Sequence, residues 1–290
     1  MALICVFPGQ GSQKVGMGAG LFERFPELTR AVNEILGYSI EELCLKDPQN
    51  ELGKTEFTQP ALFVVNALTY FARSEDGKPP PDFLAGHSLG EYNALLAGET
   101  FDFVTGLRLV QKRGRLMAQA RGGAMAAVIA MKPERIGEVL ASAGRDRVDI
   151  ANYNSPSQTV ISGPEEELRL ALPVLKEAGA KAIPLNVSGA FHSRMMQGAQ
   201  KEFAAFIESF RFAAPKIPVI ANATAAPYEV SQIKETLARQ IASPVRWVES
   251  IQFLLGNSEA IFEEVGPGNV LTKLIQQIRA SSEPAAIPTS

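Results

Sequence analysis

A short apolar strand that turns directly into an apolar helix is the feature that most limits how this chain can fold. The stretch at 81–98, PDFLAGHSLGEYNALLAG, carries Gly-x-Ser-x-Gly at the turn, with Ser88 at its centre. Such an abrupt turn strains the backbone of the serine, so the residues two positions before and after it must be small. The stretch therefore predicts a serine hydroxyl exposed at a helix N-terminus.

Apolar strands alternate with longer helical patterns along most of the chain. Strands are predicted at 3–7, 81–86, 217–222 and 260–266. Helices are predicted at 58–76, 88–97 and 102–120. The first of these helices has Pro60 in its first turn and Gly77 after its end, the usual asymmetry. The alternation predicts a parallel sheet with helices on both faces, in a large α/β-hydrolase-like domain.

The middle of the chain has a different order of elements. Over 123–188 the patterns indicate a strand, a helix, two strands about a turn, a helix and a strand. This is the β-α-β-β-α-β order of ferredoxin-like folds. It predicts a small ferredoxin-like subdomain inserted into the large domain, which then comprises 1–122 and 189–290. A cleft between two such units is a favourable place for a ligand.

Composition limits the classes of function. The chain has 290 residues, 46% of them hydrophobic, and suits one large domain or one domain with an insertion. The formal net charge is −3, whereas nucleic-acid binding usually needs a clear basic excess. Cys5 and Cys44 are isolated, fit no metal or disulfide spacing and suit a reducing cytoplasm. We therefore expect a cytoplasmic protein with no metal and no nucleic-acid partner.

No segment of the sequence indicates export or a membrane. The N-terminus lacks a charged region followed by a long apolar one, so we expect no signal peptide. No apolar run approaches the roughly 18 residues of a membrane span, so we expect a soluble protein with no membrane partner. The stretch at 280–290 is small and rich in proline and serine, which suits either a frayed tail or the start of a linker to a further domain.

A serine at such a turn is a candidate nucleophile, although a chance Gly-x-Ser-x-Gly is the alternative. The helix N-terminus favours negative charge, and the N–H of Leu89, directly after Ser88, is the natural first donor to an oxyanion. A nucleophilic serine needs a base with a pKa near neutrality, and the chain has only two histidines. His87 adjoins Ser88, and adjacent side chains on such a turn diverge. His87 therefore has a packing or pocket-lining role in this interpretation.

His192 is the candidate base, with a satisfied core or capping histidine as the alternative. It lies where the last strand of the predicted subdomain meets a new helix and the chain returns to the large domain. No Asp or Glu occupies an obvious triad position, so an amide or a backbone carbonyl would orient the ring. We therefore predict a Ser–His dyad rather than a triad.

One arginine of the predicted helix at 102–120 points inward. Arg113 lies along the apolar stripe of that helix, whereas Arg108 and Arg115 lie on a polar face. A buried arginine must be paired, either in an internal salt bridge or with a substrate carboxylate that accepts two parallel hydrogen bonds. The second alternative would suit an acyl thioester that carries a carboxylate.

Several motifs in one order identify a family. They are FPGQGSQ at 7–13, GHSLGEY at 86–92, KRGRLM at 112–117, NYNSPSQTVISG at 152–163, GAFHS at 189–193, SPVRW at 243–247 and EVGPGNVL at 264–271. With them the chain resembles the malonyl-CoA:acyl-carrier-protein transacylase family nearly from end to end. Within that family it is most similar to the discrete, trans-acting acyltransferases of polyketide synthases.

The resemblance implies roles for the matching residues. Ser88 matches the acylated serine, His192 its general base and Arg113 the arginine that binds the malonyl carboxylate. Gln10 matches the residue whose backbone N–H joins that of Leu89 in the oxyanion hole.

Two further matches concern the histidine and the choice of acyl group. Gln240 falls where the family positions a residue that orients the histidine. Phe191 resembles the malonyl-selecting version of its motif, because its bulk would crowd an α-methyl branch. A hydrophobic pocket rejects one carbon by about 1–3 kcal/mol, so we expect a bias against methylmalonyl.

The implied activity is ping-pong transfer of malonyl from malonyl-CoA, through an ester on Ser88, to the phosphopantetheine thiol of an acyl carrier protein in polyketide biosynthesis. No metal or organic cofactor is implied. Carrier proteins are usually acidic, and the candidates for a basic patch at the cleft mouth are Lys14, Arg194, Lys273 and Arg279.

Three alternatives stay open at this point. An acyl hydrolase of the same family would clear stalled acyl groups from carrier proteins, a task that does not require Arg113. A fatty-acid malonyl transacylase would use the same chemistry. A catalytically idle docking module would only recruit a carrier protein, and the intact Ser88, His192, Arg113 and Gln10 argue against it.

Overall fold

The computed structural model describes residues 1–256 and 259–282. Its strands are β1 Ala2–Phe7, β2 Phe83–Gly86, β3 Gly123–Ile129, β4 Asp149–Ser155, β5 Gln158–Pro164, β6 Lys181–Pro184, β7 Val219–Ile220 and β8 Ala260–Glu264. Its helices are α1 Leu21–Arg24, α2 Pro26–Leu36, α3 Ile40–Leu45, α4 Thr55–Glu75, α5 Gly90–Ala97, α6 Phe103–Gln119, α7 Pro133–Ser142, α8 Glu165–Glu177, α9 Gln197–Ile207, α10 Ile233–Arg239, α11 Trp247–Leu255 and α12 Val270–Ser282. Most of the predicted tail or linker at 280–290 lies outside the described residues, and both alternatives for it stay predictions.

The first sheet is parallel, with strand order β7-β2-β1-β8. Side chains alternate across the central strand β1. Cys5 and Phe7 pack with α4, α5 and α6, whereas Ile4 and Val6 pack with α11 and α12. Parallel strands are apolar on both faces and need cover on both. The predicted parallel sheet with helices on both faces is confirmed, although β7 covers only two residues of the predicted 217–222.

The second sheet is antiparallel, with strand order β4-β5-β3-β6, and one continuous segment forms it. Its elements follow one another as β3, α7, β4, β5, α8 and β6. Both helices pack with this sheet in a core of its own, which includes Ile136, Ile161 and Leu175. β3 starts and β6 ends within the predicted 123–188, and the domain boundaries themselves stay predictions.

The second sheet is joined to the segment that follows α10. The Tyr153 N–H of β4 donates to the Val245 carbonyl at 2.9 Å, and the Val245 N–H donates to the Ala151 carbonyl at 2.8 Å. These bonds fix strand β4 beside the 240–247 segment, which carries Gln240. The two sheets thereby meet next to the serine turn.

Helix α4 starts earlier than the sequence predicts. It begins at Thr55, so Pro60 lies inside the helix rather than in its first turn. The turn before it explains the earlier start, because the Lys54 N–H donates to the Glu51 carbonyl and the Lys54 carbonyl accepts from the Thr58 N–H. The proline removes one helix hydrogen bond, which the surrounding packing tolerates.

Two glycines make the serine turn possible. A Cβ on Gly86 would lie 2.0 Å from the Gly90 carbonyl oxygen, and a Cβ on Gly90 would lie 2.0 Å from the Phe7 carbonyl oxygen. Both distances are far inside van der Waals contact, and both partners are backbone atoms of β1 or of the turn itself. β2 can therefore pass directly into α5 only with glycine at both positions, as the sequence predicts.

Gly90→Ala is expected to lower the free energy of unfolding by about 3 kcal/mol or more, because the new methyl group overlaps the backbone of β1. The measurement is urea denaturation followed by circular dichroism. Gly137→Ala is the matched control. Gly137 lies within α7 with open space around its Cβ position, so alanine there should leave stability unchanged or raise it by up to about 1 kcal/mol. Equal stability of the two variants would contradict the proposed backbone contact.

Candidate active site

Ser88 sits at the turn between β2 and α5 in the left-handed backbone conformation, with φ of 52°. This conformation is uncommon for a residue with a side chain and requires support from its surroundings. Asn222, fully buried after β7, supplies that support. Its Oδ1 accepts from the Ser88 N–H at 2.7 Å, and its Nδ2 donates to the Gly86 carbonyl at 2.7 Å. The side chain of Asn222 thus stabilises the turn through backbone groups on both sides of His87.

His192 lies next to the serine hydroxyl. Its Nε2 is 2.7 Å from Ser88 Oγ, although 104 residues separate the two along the chain. Its Nδ1 faces two backbone carbonyls, those of Gln240 at 2.9 Å and Ser243 at 3.1 Å. Carbonyls accept only, so Nδ1 carries the proton and Nε2 is free to accept one from Ser88. Both groups that face Nδ1 are backbone carbonyls, one of the two options left open by the sequence, and their orienting role stays a prediction.

The surroundings of His192 keep its ring neutral. Burial, followed by the nearby positive charge of Arg113, lowers the pKa of His192 to about 3. Only about 4% of the residue is exposed. A neutral imidazole with its Nε2 lone pair aimed at a hydroxyl can accept the hydroxyl proton, but this pKa lies well below the near-neutral value that the sequence analysis expects of a base.

Arg113 projects from α6 to the same point. Its Nη2 donates to Ser88 Oγ at 3.0 Å and to Gln240 Oε1 at 2.9 Å, and its Nη1 donates to Gln59 Oε1 at 2.8 Å. The guanidinium also lies 5.5 Å from the ring centre of Tyr92. Within residues 1–256 and 259–282 no carboxylate lies within salt-bridge distance of it, so the internal salt bridge is not formed. Arg113 is 1% exposed, and burial lowers its pKa. A buried cation with neutral partners is suited to an anionic ligand.

Gln240 contacts all three residues, Ser88, His192 and Arg113. Its backbone carbonyl accepts from His192, and its Oε1 accepts from Arg113. Its Nε2 donates to the Ser88 carbonyl at 2.7 Å and to Glu91 Oε2 at 2.8 Å. The residue therefore contacts the histidine through its main chain, while its side chain is committed to the arginine and the turn.

A cavity of about 160 Å³ opens over the serine, between the two sheets. Residues of both sheets and of the loops after them line it: Gln10, Gln59, His87, Ser88, Leu89, Arg113, Met117, Met125, Asn152, Asn154, Val160, Leu185, Val187, Phe191 and His192. Seven of the eight residues singled out from the sequence border this cavity, and the eighth, Gln240, lies below it. The chain thus brings all eight together at one place.

His87 points away from the hydroxyl of its neighbour. Its Nε2 lies 2.8 Å from Asn154 Oδ1, and its ring meets the Trp247 ring edge-on with 5.5 Å between centres. Burial lowers the pKa of His87. This placement matches the expected packing and pocket-lining position, and the role itself stays a prediction.

Four residues of this region were missed by the sequence analysis. Gln59 contacts Arg113, Asn222 supports the turn, Asn154 contacts His87, and Glu91 contacts Gln240. Gln59 and Glu91 carried a signal, since each is a polar residue within a mostly apolar stretch of its helix. Asn222 follows β7 and Asn154 lies in β4. In neither place does a polar residue indicate its partner.

The described residues form neither a metal centre of His, Cys, Asp and Glu side chains nor a membrane-spanning helix. Residues 1–256 and 259–282 contain no group of three or more His, Cys, Asp or Glu side chains arranged to hold a metal ion. In the same part of the chain, every helix is too short or too polar to cross a bilayer.

Known proteins match this chain over nearly its whole length. A family model described as "Acyl transferase domain" matches residues 4–289. The polyketide biosynthesis malonyl CoA-acyl carrier protein transacylase PksC of Bacillus subtilis is 53% identical over 280 residues, which are 96% of this chain and 97% of PksC. The polyketide biosynthesis protein ThaF of Burkholderia thailandensis is 54% identical over 94% of this chain, which spans about a quarter (24%) of ThaF.

Solved structures share the fold. The crystal structure of a malonyl CoA-acyl carrier protein transacylase from Burkholderia pseudomallei has 53% identity and a TM-score of 0.95, and the match covers 98% of this chain and 100% of that one. A type II polyketide synthase acyl carrier protein in complex with its malonyl-transacylase (PlMCAT:AntF) has 38% identity and a TM-score of 0.91, over 96% of this chain and 93% of that one.

Proposed function

The chain belongs to the acyl transferase domain family, and we propose that it transfers malonyl from malonyl-CoA to the phosphopantetheine thiol of an acyl carrier protein in polyketide biosynthesis. The name of PksC supports this function, because the two chains correspond over nearly their whole lengths. The observation that carries it is the position of Arg113 Nη2, 3.0 Å from Ser88 Oγ and without a carboxylate partner in the described residues.

The position of Arg113 suits a malonyl group in particular. In malonyl a single methylene separates the carboxylate from the thioester carbonyl, so a cation that binds the carboxylate must lie directly beside the nucleophile. The guanidinium meets that condition, with Nη2 3.0 Å from Ser88 Oγ, and its planar fork can donate two hydrogen bonds to a carboxylate.

The first half of the reaction acylates the serine. His192 Nε2 takes the proton of Ser88 as Oγ attacks the thioester carbonyl. The N–H groups of Gln10 and Leu89 donate to the oxyanion of the tetrahedral intermediate. The C–S bond then breaks, and the proton on Nε2 passes to the sulfur of CoA. Malonyl remains as an ester on Ser88, with its carboxylate on Arg113.

The second half transfers the acyl group to the carrier protein. The phosphopantetheine thiol gives its proton to His192 Nε2 and attacks the ester carbonyl. The same two N–H groups stabilise the second tetrahedral intermediate, which collapses to the carrier thioester and returns the proton to Ser88. A backbone carbonyl suffices to hold the ring in one tautomer, so a Ser–His dyad completes both halves without a carboxylate.

Several finer features belong to this proposal. Phe191 narrows the cavity near the acyl group and biases the site against methylmalonyl. The chemistry assigned to Ser88, His192 and the N–H donors needs no metal or organic cofactor. The two units are α/β-hydrolase-like and ferredoxin-like, and the cytoplasmic location suggested by the isolated cysteines stays a prediction.

The carrier protein would approach the mouth of the cleft. Of the candidates for a basic patch, Lys14 and Lys273 are exposed. Arg194 is paired with Asp149 through its Nε at 3.0 Å, and Arg279 donates to a backbone carbonyl. We therefore assign the two lysines, rather than the two arginines, to the attraction of an acidic carrier protein.

Loading of a carrier protein from a mixture of acyl-CoA thioesters tests the proposed function. With equal malonyl-, methylmalonyl- and acetyl-CoA, we expect intact-protein mass spectrometry to show malonyl on the carrier in about tenfold excess over methylmalonyl. Polyketide and fatty-acid carrier proteins in competition then separate the two pathways. An acyl-enzyme that is lost rapidly to water, with the carrier left unloaded, would instead identify the acyl hydrolase.

A further inference from the structure

Glu91 is a fully buried carboxyl group that neither half of the reaction uses. It lies in the first turn of α5, three residues after Ser88, and is 0% exposed. Its Oε2 accepts from Gln240 Nε2 at 2.8 Å and from the Asn222 N–H at 3.3 Å, and its Oε1 contacts the Tyr228 hydroxyl. A buried carboxyl with this much support next to an active site requires an explanation.

The amide of Gln240 connects Glu91 to Arg113. Nε2 faces the carboxyl at one end of the amide, and Oε1 faces the guanidinium at the other. The reversed amide would set N–H against N–H at Arg113 and oxygen against oxygen at Glu91, so only one orientation satisfies both neighbours. Glu91 and Arg113 are therefore opposite charges joined through one hydrogen-bonded group.

The groups that face Glu91 leave its protonation state finely balanced. Tyr228 and Tyr92 are phenols, and Arg113 is the only cation among the groups that act on Glu91 in the described residues. Burial raises the pKa of Glu91 to about 7, although the hydrogen bonds from Tyr228 and Gln240 and the charge of Arg113 oppose the rise. A second negative charge brought to Arg113 would raise that pKa further.

We propose that Glu91 and the malonyl carboxylate neutralise Arg113 in turn: Glu91 is ionised in the empty site and takes up a proton from solvent when malonyl occupies the guanidinium. The proposal rests on the proposed function. It explains how a fully buried arginine can stay compensated without a substrate and yet accept an anionic one, since the net charge of the group remains near zero in both states.

The contacts of Glu91 suit both protonation states. The Tyr228 hydroxyl can donate to a carboxylate or accept from a carboxylic acid, and the Gln240 and Asn222 N–H groups can donate to the carbonyl oxygen of either form. Acylation itself is neutral in protons, because the proton of Ser88 ends on the thiol of CoA. Any net proton uptake must therefore occur at another group, and Glu91 is the group that the structure offers.

Proton uptake during acylation tests the proposal directly. The complete chain is mixed with malonyl-CoA at pH 8 in weak buffer containing an indicator dye, and acylation is followed in parallel by mass spectrometry. We expect up to one proton taken up per malonylated serine, none with acetyl-CoA, and none for Glu91→Gln with malonyl-CoA. Malonylation without uptake in the unaltered protein would overturn the proposal, whereas a lack of malonylation would overturn the proposed function instead.

The pH dependence of acyl selectivity provides a second readout that a structural role for Glu91 would not change. Ionised Glu91 opposes a second anion at Arg113, so the malonyl-to-acetyl ratio of kcat/KM should fall about tenfold between pH 6 and pH 8.5. Glu91→Gln should make the ratio independent of pH. Tyr228→Phe keeps the carboxyl but removes a donor that lowers its pKa, so the fall should move to higher pH. If Glu91→Gln does not fold, a ratio that is flat in the unaltered protein, or not shifted in Tyr228→Phe, would still overturn the proposal.

Discussion

Ser88→Ala is expected to abolish the malonyl-enzyme ester and to slow transfer to the carrier protein by about 10⁴-fold or more. The hydroxyl is the group that His192 Nε2 and Arg113 Nη2 both contact. The proposed oxyanion donors and the arginine remain in the variant, so binding of malonyl-CoA should persist while covalent capture is lost. The measurement is intact-protein mass spectrometry after incubation with malonyl-CoA, together with the rate of carrier loading.

A surface serine of the second sheet provides the matched control. Ser157 lies exposed in the turn between β4 and β5, and Ser157→Ala should retain both the ester and the transfer rate. Covalent malonyl on the Ser88→Ala protein, or loading of the carrier at an undiminished rate, would show that the nucleophile is another residue. The assignment of His192 would then be weakened as well, because its role as a base depends on its contact with this hydroxyl.

The parts of the site that depend on local geometry could be predicted from the sequence. The two glycines around Ser88 indicate a sharp turn, because a Cβ at Gly86 would overlap the backbone of Gly90 and a Cβ at Gly90 would overlap the backbone of β1. The inward direction of Arg113 follows from helical spacing alone, and its burial agrees with that reading. Both inferences depend only on which residues are neighbours along the chain, and the sequence shows this directly.

The parts that depend on contacts across the fold could not be predicted. Nδ1 of His192 faces the backbone carbonyl of Gln240, and because backbone carbonyls occur at every residue, only the family resemblance pointed to this position. The support of the turn by Asn222 depends on β7 lying beside β2, which is a matter of strand order. The early start of α4 similarly reflects hydrogen bonds at Lys54 that composition does not reveal.

Arg113→Ala is expected to reduce malonyl transfer relative to acetyl transfer by about 10²–10⁴-fold. Each charged hydrogen bond to the carboxylate contributes roughly 1.5–3 kcal/mol, so two of them contribute about 3–6 kcal/mol. The acetyl group has no carboxylate, so its rate of transfer should fall little. Because both kcat/KM values are measured on the same preparation, their ratio does not depend on the amount of folded enzyme. The malonyl-to-acetyl ratio of Arg113→Lys should lie between those of the unaltered protein and Arg113→Ala, since an ammonium keeps the charge but cannot donate the paired bonds of the planar fork.

Arg115→Ala distinguishes loss of a specific contact from loss of a positive charge on α6. Arg115 lies two residues further along the same helix and is exposed, so its removal should leave the malonyl-to-acetyl ratio unchanged. An unchanged ratio in Arg113→Ala itself would remove the guanidinium from the acyl pocket. It would also restore the acyl hydrolase as an interpretation, because a hydrolase of this fold has no need of a buried cation beside its serine. In the proposed function the substrate class therefore depends on this residue, whereas the chemistry of transfer depends on Ser88.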